Sequence, residues 1–415
     1  MSEHGGHDMK DMGGGRKEKP ERKTEASGAG PHGSAHAGMA GMDRKTDDPA
    51  FAVTRAQLVA MSLLTVLALV AGSVFAASQA NLTVSAREVG GVVMPVGMVM
   101  RRDLPAEAMR DMAAVDPNAV RVEAPATARG DRPLEARLDG GVKVFQLEAA
   151  VTAWNILPDV RVSAYAFNGQ VPGPRIRVTE GDRVRFVVRN SLPEPTTIHW
   201  HGLILPNAMD GPADITQAPI PPGGSFTYEF TTRQAGTFFY HSHNRPDRQQ
   251  ALGLYGALII DPPAPVLRYD KELVVQLQEW LYQNGYTFPA MPMDGMQPNF
   301  FTINGKAYPS TEPLRMRVGE KLLVRYIGSQ SGFVHPMHIH GGPFSIVATD
   351  GVPVAESARM TKDTVNVGPG ERYDVIWEAR EPGKWLLHCH INHHTTNDNR
   401  EEQGAGGLTL IIQVD

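Results

Sequence analysis

The chain has 415 residues and a formal net charge of −5. This balance lacks the excess of positive charge that is typical of nucleic-acid-binding proteins, so we expect no nucleic-acid partner. A single cysteine excludes an intramolecular disulfide and leaves that thiol free for other chemistry.

The N-terminal part consists of a polar tail and an apolar segment. Residues 1–55 are rich in glycine, histidine and methionine and contain few aliphatic core formers, so we predict a disordered tail. Residues 56–77 contain no charge and are long enough to span a bilayer, which predicts an uncleaved transmembrane helix or signal anchor. Cleavage of this segment, giving a secreted protein, is the alternative. Basic residues precede the segment and only Arg87 follows closely, so we expect the folded part to lie outside the cytoplasm, in the periplasm or at the cell surface.

The rest of the chain is predicted to be all-β. Residues 78–142 are interpreted as a linker, and from residue 143 onwards apolar and polar residues alternate with the period of two that is typical of strands. Abundant glycine (42) and proline (32) suit many short strands joined by turns. We predict two β-sandwich domains, at 143–263 and 268–415, separated by a proline-rich join.

An internal repeat supports this division. The segment RIRVTEGDRVRF at 175–186 aligns without gaps to RMRVGEKLLVRY at 315–326. GTFFYHSH at 236–243 likewise matches GKWLLHCH at 383–390. Self-similarity of this kind indicates a tandem duplication of one β-domain.

Eleven of the fifteen histidines fall into four groups within these domains. The groups are HWH (199–201), HSH (241–243), HPMHIH (335–340) and HCHINHH (388–394). Residues i and i+2 of a strand project from the same face, so each His-x-His places two imidazoles side by side. A single pair is more often a polar strand face, but four pairs in register with a repeat predict metal binding.

The only cysteine lies inside the last group. In HCH the two histidines point to one face of the strand and Cys389 to the other, so Cys389 is expected to belong to a second site. His335 and His394 can complete it. Two histidines and a thiolate describe a blue-copper centre, whereas zinc accepts the same ligands without a redox role. The shared strand then connects two copper sites through two peptide units.

The motifs HWHG, YHSH, HPMHIHG and HCHINHH resemble, in order, the four copper signatures of the multicopper oxidases, a laccase-like family, over about residues 143–415. The resemblance implies two tandem cupredoxin-like Greek-key β-sandwich domains, here preceded by the transmembrane helix and disordered tail. It also implies four coppers per subunit. The ligands that it implies are His335, Cys389 and His394 for type 1 copper, His199 and His338 for type 2, and His201, His241, His243, His340, His388 and His390 for the type 3 pair. The family oxidises a reductant by single electrons at type 1 copper and reduces dioxygen to water at the trinuclear cluster of the other three.

Further features follow from the same resemblance. Asp210 in MDGPADITQ resembles the family's carboxylate near the trinuclear cluster, a catalytic role for which an ordinary turn residue is the alternative. Leu408 is the candidate axial neighbour of type 1 copper, although a long polar segment separates it from His394. Ser242 stands where the second repeat has Cys389, so only the second domain has a type 1 site. This resembles the two-domain subclass, in which domain 1 of one subunit and domain 2 of the next form the cluster in a homotrimer.

Two alternatives of other classes remain open. A copper nitrite reductase-like enzyme has the same architecture but needs a type 1 cysteine in the first domain, where this chain has Ser242. A non-enzymatic copper-binding cupredoxin protein should have lost ligands, and every ligand position here is filled. The sequence leaves the reductant open among phenols, Mn(II), Fe(II) and Cu(I).

Overall fold

The computed structural model describes residues 53–84, 87–89, 92–96, 105–329 and 332–415. Residues 1–52 of the predicted disordered tail lie outside these ranges. The chain divides into two compact units, Met1–Leu67 and Ala68–Asp415.

The first described element is a long helix. Helix α1 spans Arg55–Val84, and the hydroxyl of Thr54 accepts the backbone N–H of Gln57 at its start, at 3.3 Å. The stretch Arg55–Ala76 is long and apolar enough to cross a membrane. A signal sequence passes the same test, so the anchor predicted at 56–77 stays a prediction.

The remaining elements are mostly strands. The first part of the β-rich unit contains β1 (Arg87–Val89), β2 (Val92–Met94), α2 (Ala106–Met112), β3 (Val122–Glu123), β4 (Arg137–Asp139), β5 (Val142–Asn155), β6 (Arg161–Phe167), β7 (Gly173–Thr179), β8 (Arg183–Asn190), β9 (His199–His201), β10 (Ser225–Thr231), β11 (Gly236–His241), α3 (Pro246–Gln249) and β12 (Tyr255–Asp261). The second part contains β13 (Lys271–Gln283), β14 (Tyr286–Phe288), β15 (Phe300–Ile303), β16 (Leu314–Met316), β17 (Lys321–Ile327), β18 (His335–Ile339), β19 (Phe344–Thr349), β20 (Val352–Pro353), β21 (Thr361–Lys362), β22 (Thr364–Val367), β23 (Arg372–Glu378), β24 (Gly383–Cys389) and β25 (Thr409–Val414).

The first sandwich is formed by two sheets. One has the order β10-β8-β5-β3, with β4 and β6 also paired to β5, and the other has the order β7-β12-β11-β9. Val184, Phe186 and Val188 alternate along β8 and are fully buried between the sheets, which confirms the period-two prediction for this segment. The ring of Phe186 stacks on that of Phe145 and lies 4.1 Å from that of Trp200, so an aromatic centre joins both sheets.

The segment predicted as a linker takes part in this fold. Strands β3 and β4 pair with β5, so the first sheet includes residues that precede position 143. Further upstream, Met94 and Met112 are buried together with Met291 and Met296. These thioethers fill space between short elements and the loop that follows β14, a use to which flexible methionine side chains are suited.

The second sandwich repeats the arrangement. One sheet has the order β14-β13-β17-β23-β19-β20, with β15 on β13 and β21 on β19, and the other has the order β16-β25-β24-β18-β22. Val275 and Val324 of the first sheet and Met337, Leu387 and Cys389 of the second lie in one buried core between them. The residues that alternate with these core positions on β18 and β24 therefore face outward.

The two sandwiches contact each other through the sheet that contains β13 and β17. Phe239, Ala257 and Ile259 of the first sandwich pack against Val274 and Ile327 of the second. Val274 is adjacent to the core residue Val275 and so lies on the opposite face of its sheet. The sheet that contains β18 and β24 is consequently on the far side of the second core from the first sandwich.

Candidate metal sites

A thiolate site is formed by His335, Cys389 and His394. His335 begins β18, Cys389 ends β24, and His394 lies in the short 3-10 turn Asn392–Thr395. The Nδ1 atoms of the two histidines are 3.0 Å apart, and the Cys389 Sγ lies 3.8 Å from that of His335 and 3.7 Å from that of His394. All three side chains are buried. Three donor atoms from two distant parts of the sequence therefore converge on one point.

The chemistry of these three donors fits a soft transition metal. Burial raises the pKa of the Cys389 thiol to about 12, and burial together with the nearby His335 lowers the pKa of His394 to about 3. The imidazole is therefore neutral with its lone pair available, and the thiol must release its proton when it binds a metal. Two imidazoles and one thiolate, with no carboxylate among them, suit copper better than magnesium, calcium or manganese.

Two residues that the sequence did not single out contact this site. The Oε1 atom of the buried Glu279 lies 3.3 Å from His335 Nε2, although the pair is not aligned as a hydrogen bond. The ring of Phe301 stacks on that of His394 at 4.2 Å. Glu279 and Phe301 are opposite each other on β13 and β15, a register that local sequence patterns do not reveal.

Leu408 returns to this site despite the long segment before it. The Cys389 N–H donates to the Leu408 carbonyl at 3.0 Å, and the Leu408 N–H donates to the His394 carbonyl at 2.9 Å. The Leu408 side chain is fully buried in the second core. The backbone of Leu408 thus links two of the three donor residues, while its axial role stays a prediction.

A first histidine group lies on the first sandwich. It comprises His199 and His201 on β9, His241 at the end of β11, and His243 just after it. The ring of His199 lies 5.4–5.5 Å from the rings of the other three. Burial, with a smaller effect of the Arg372 guanidinium, lowers the pKa of His201 to about 3, and burial also keeps the pKa of His241 well below its usual value. The imidazoles of His201 and His241 are therefore neutral and able to bind metal.

A second histidine group lies on the second sandwich. It comprises His338 and His340, from β18 and the position after it, His388 on β24, and His390. The ring of His338 lies 4.9–5.7 Å from the other three, and the Nε2 atoms of His340 and His388 are 3.0 Å apart. Burial lowers the pKa of both His340 and His388. The group faces outward because its members alternate with core residues such as Met337 and Cys389.

Backbone carbonyls orient four of these rings. Each ring donates its Nδ1–H at 2.7–2.9 Å, in the pairs His199 with Asp210, His338 with Asp363, His241 with Ser242, and His388 with Cys389. This hydrogen bond fixes the tautomer and leaves Nε2 free for a metal. The carboxylate of Asp210 also lies 3.4 Å from His199 Nδ1. Sequence reasoning missed Asp363 because its contact uses the backbone, which no side-chain motif signals.

The two histidine groups are separate within the chain. Among the described residues, every ring contact between histidines of these groups joins members of the same group. The first group lies on the sheet that packs against the second sandwich, and the second group lies on that sandwich's far face. The eleventh histidine of the folded part, His393, is exposed beside the thiolate site.

Comparisons with known proteins identify relatives of this chain. Two family models described as multicopper oxidase match residues 148–265 and 287–399. The chain is similar to the blue copper oxidase from Nitrosomonas europaea, with 35% identity and a TM-score of 0.61 over 66% of this chain and 86% of that one. It is 34% identical to laccase-1 of Cryptococcus neoformans var. grubii over 52% of this chain and 39% of that protein. It is 32% identical to copper resistance protein A of Escherichia coli, over 60% and 48%. The chain thus spans less than half the length of these two curated relatives.

Proposed function

Because the chain belongs to the multicopper oxidase family, we propose that it is a copper-dependent oxidase that withdraws single electrons from a small reductant and reduces dioxygen to water. The observation that carries this proposal is the complete set of eleven ligands, arranged as one thiolate site and two histidine groups. Copper, when bound, would supply the one-electron redox chemistry that this function requires.

The proposed ligand roles follow the three clusters. His335, Cys389 and His394 hold one copper as the type 1 site, and the two histidine groups together hold three. Within those groups we assign type 2 copper to His199 and His338, and the type 3 pair to His201, His241, His243, His340, His388 and His390. Orientation of the rings by backbone carbonyls supports these roles, because a ring with a fixed tautomer presents its free nitrogen without rearranging.

One strand joins the two kinds of site. Cys389 faces the core, whereas its neighbours His388 and His390 belong to the outward group. The path from the thiol to either imidazole therefore runs through covalent bonds of a rigid strand. The chain thus provides a fixed covalent connection between the thiolate site, where electrons enter, and the second histidine group, where dioxygen is reduced.

Protons must reach the same place as the electrons. Asp210 has a side chain that is one-third exposed, and one of its oxygens lies 3.4 Å from His199 Nδ1. A carboxylate that is partly exposed and lies beside the first histidine group is placed to bring protons from solvent to the metal site without protonating a ligand. We therefore propose that Asp210 is the proton-carrying residue.

We further propose that three chains form a ring. Each chain holds the two histidine groups on different sides of its second sandwich, so one group must meet its complement on another chain. A head-to-tail contact between identical subunits creates this pairing at every interface and closes when the rotation permits. The helix α1 would anchor this ring to the membrane, with the catalytic domains outside the cytoplasm.

The reductant is a phenolic compound or a metal ion. One relative is named laccase-1 and another copper resistance protein A, and neither name selects between these two classes. The nitrite reductase-like alternative is disfavoured by Ser242, and the non-enzymatic alternative by the complete ligand set.

Copper loading and oxygen uptake test the proposal. The full chain, solubilised in detergent and loaded with copper in air, is assayed for copper content, visible absorption and oxygen uptake with a phenol, Mn(II), Fe(II) and Cu(I). We expect about four coppers per chain, an intense thiolate-to-copper band, and oxygen uptake with at least one reductant. One copper or none per chain, or a full thiolate band without oxygen uptake, would contradict the oxidase assignment.

A further inference from the structure

We propose that the first sandwich contains a metal-free counterpart of the thiolate site, in which Thr196, Ser242 and Gln249 occupy the positions of His335, Cys389 and His394. We call these three residues the polar triad. Their hydrogen bonds hold the first histidine group in place, as a metal bound by Cys389 would hold the second histidine group. The structural correspondence is independent of the proposed function. The positioning role of the polar triad does rest on the proposed function.

Strand register together with sequence spacing establishes two of the three equivalences. His199 pairs with His241 as His338 pairs with His388, so these histidines correspond between the repeats. Ser242 directly follows His241, as Cys389 directly follows His388. Thr196 precedes His199 by three positions, the same interval by which His335 precedes His338.

Backbone hydrogen bonds establish the third equivalence, which sequence spacing conceals. The Ser242 N–H donates to the Leu254 carbonyl at 3.1 Å, and the Leu254 N–H donates to the Gln249 carbonyl at 3.1 Å. In the second sandwich, the same two bonds run from Cys389 to Leu408 and from Leu408 to His394, at 3.0 and 2.9 Å. Gln249 therefore corresponds to His394 and Leu254 to Leu408, although the intervening loops differ in length.

The side chains of the polar triad converge as the three metal donors do. Thr196 Oγ1 and Ser242 Oγ both donate to Gln249 Oε1, at 2.8 and 2.5 Å, and the two hydroxyl oxygens are 3.3 Å apart. All three side chains are fully buried. Two hydroxyls and an amide bind copper poorly compared with thiolate and imidazole, so hydrogen bonds take the place of the metal.

The triad is placed to fix the strand that holds His241 and His243. Ser242 lies between them and points to the opposite face, where Gln249 ties it to α3 and to Thr196. Gln249 is itself anchored, because its Nε2 donates to Glu194 Oε1 at 2.7 Å and to the Pro195 carbonyl at 2.8 Å. These are positioning residues, which act on copper binding only through the histidines.

Rebuilding the site tests the correspondence. The variant Thr196→His/Ser242→Cys/Gln249→His, in a Cys389→Ser background, is loaded with copper beside wild type and Ser242→Cys/Cys389→Ser. We expect a thiolate-to-copper band in the rebuilt variant and in wild type, and none in the control that lacks the two new imidazoles. A folded rebuilt variant without the band would overturn the correspondence. A wild-type chain without the band would instead count against the proposed function.

A single substitution tests the positioning role without a new site. In Ser242→Ala we expect the thiolate band of Cys389 to keep its wild-type intensity, while copper affinity outside that site falls about tenfold in a chelator competition. Ser225→Ala, on the exposed edge of β10, serves as the control with unchanged affinity. Unchanged affinity in Ser242→Ala would refute the positioning role, and an equal loss of the thiolate band would show a general folding defect instead of this role.

Discussion

At the scale of single residues, the buried thiol of Cys389 distinguishes the thiolate site chemically from the histidine groups. Substitution Cys389→Ser keeps the size of the side chain but removes the soft ligand, so we predict loss of about one copper per chain and of the visible band. Oxygen uptake should cease, because electrons have no entry site. His393→Ala is the control, since His393 is the exposed neighbour of a ligand, and a band that survives in Cys389→Ser would refute the assignment.

Asp131 is a buried carboxylate outside the metal sites, and it should make stability depend on pH. Burial raises its pKa to about 7, an effect that Arg175 at 3.3 Å only partly offsets. The folded state therefore binds this proton more tightly than the unfolded chain. The stabilisation that comes from protonated Asp131 is fully present below pH about 4 and is lost as the pH rises through 7. The free energy of unfolding falls by up to about 4 kcal/mol as a result.

Asp131→Asn removes that titration and keeps the acceptor for the Gln276 amide, which donates to Asp131 at 2.9 Å. We predict that the unfolding midpoint of wild type falls relative to that of this variant as the pH rises from about 4 to about 8. Thermal unfolding followed by circular dichroism measures it, with the exposed Asp159→Asn as control. Parallel curves for wild type and Asp131→Asn would show that Asp131 does not titrate in this range.

At the scale of elements, the turn that contains Asp210 depends on a glycine. Gly211 has a φ of +101°, and a Cβ there would lie 1.8 Å from the Ile198 carbonyl oxygen. Gly211→Ala must therefore displace the turn from His199, and we predict a fall of about tenfold or more in copper affinity at the histidine groups. Gly223 has a φ of +79° but open space around its Cβ, so Gly223→Ala should cost only about 1–2 kcal/mol of backbone strain and leave copper affinity unchanged. Equal copper affinity in both variants would contradict this reasoning.

The elements also show what the sequence could and could not predict. Alternation along β8 and the paired histidines were readable because a strand's period of two is a local property. The equivalence of Gln249 and His394 could not be predicted in this way. The loops that follow these two residues differ in length, and only the matching backbone hydrogen bonds of Leu254 and Leu408 reveal the correspondence. Glu279 faces His335 only through tertiary packing of β13, and a pattern within one strand carries no information about that neighbour.

At the scale of the whole β-rich unit, the contact between the sandwiches governs where the histidine groups lie. An apolar cluster around Phe239 joins the two sandwiches, and Arg325 and Asp374 of the second sandwich form a buried ion pair at 2.7 Å. Arg325 also donates to the Thr237 hydroxyl of the first sandwich at 2.8 Å, so the junction is both packed and hydrogen-bonded. A contact of this kind resists rearrangement, because separating the sandwiches would expose the apolar cluster and break the hydrogen bonds of Thr237 with Arg325 and Asp374. The chain is therefore expected to find its complementary histidine group on a neighbour and not by closing on itself.

Complementation between two inactive chains tests this expectation. One chain carries His199→Ala/His201→Ala and the other His338→Ala/His340→Ala; each alone should consume no oxygen while keeping its thiolate band. When both are co-expressed with different affinity tags and purified through both, every mixed ring of three holds one interface with two intact groups. We therefore predict about one third of the wild-type oxygen uptake per chain. Preparations purified from a single type of chain provide the control. A mixed preparation that keeps the thiolate band but consumes no oxygen would mean that both histidine groups act within one chain.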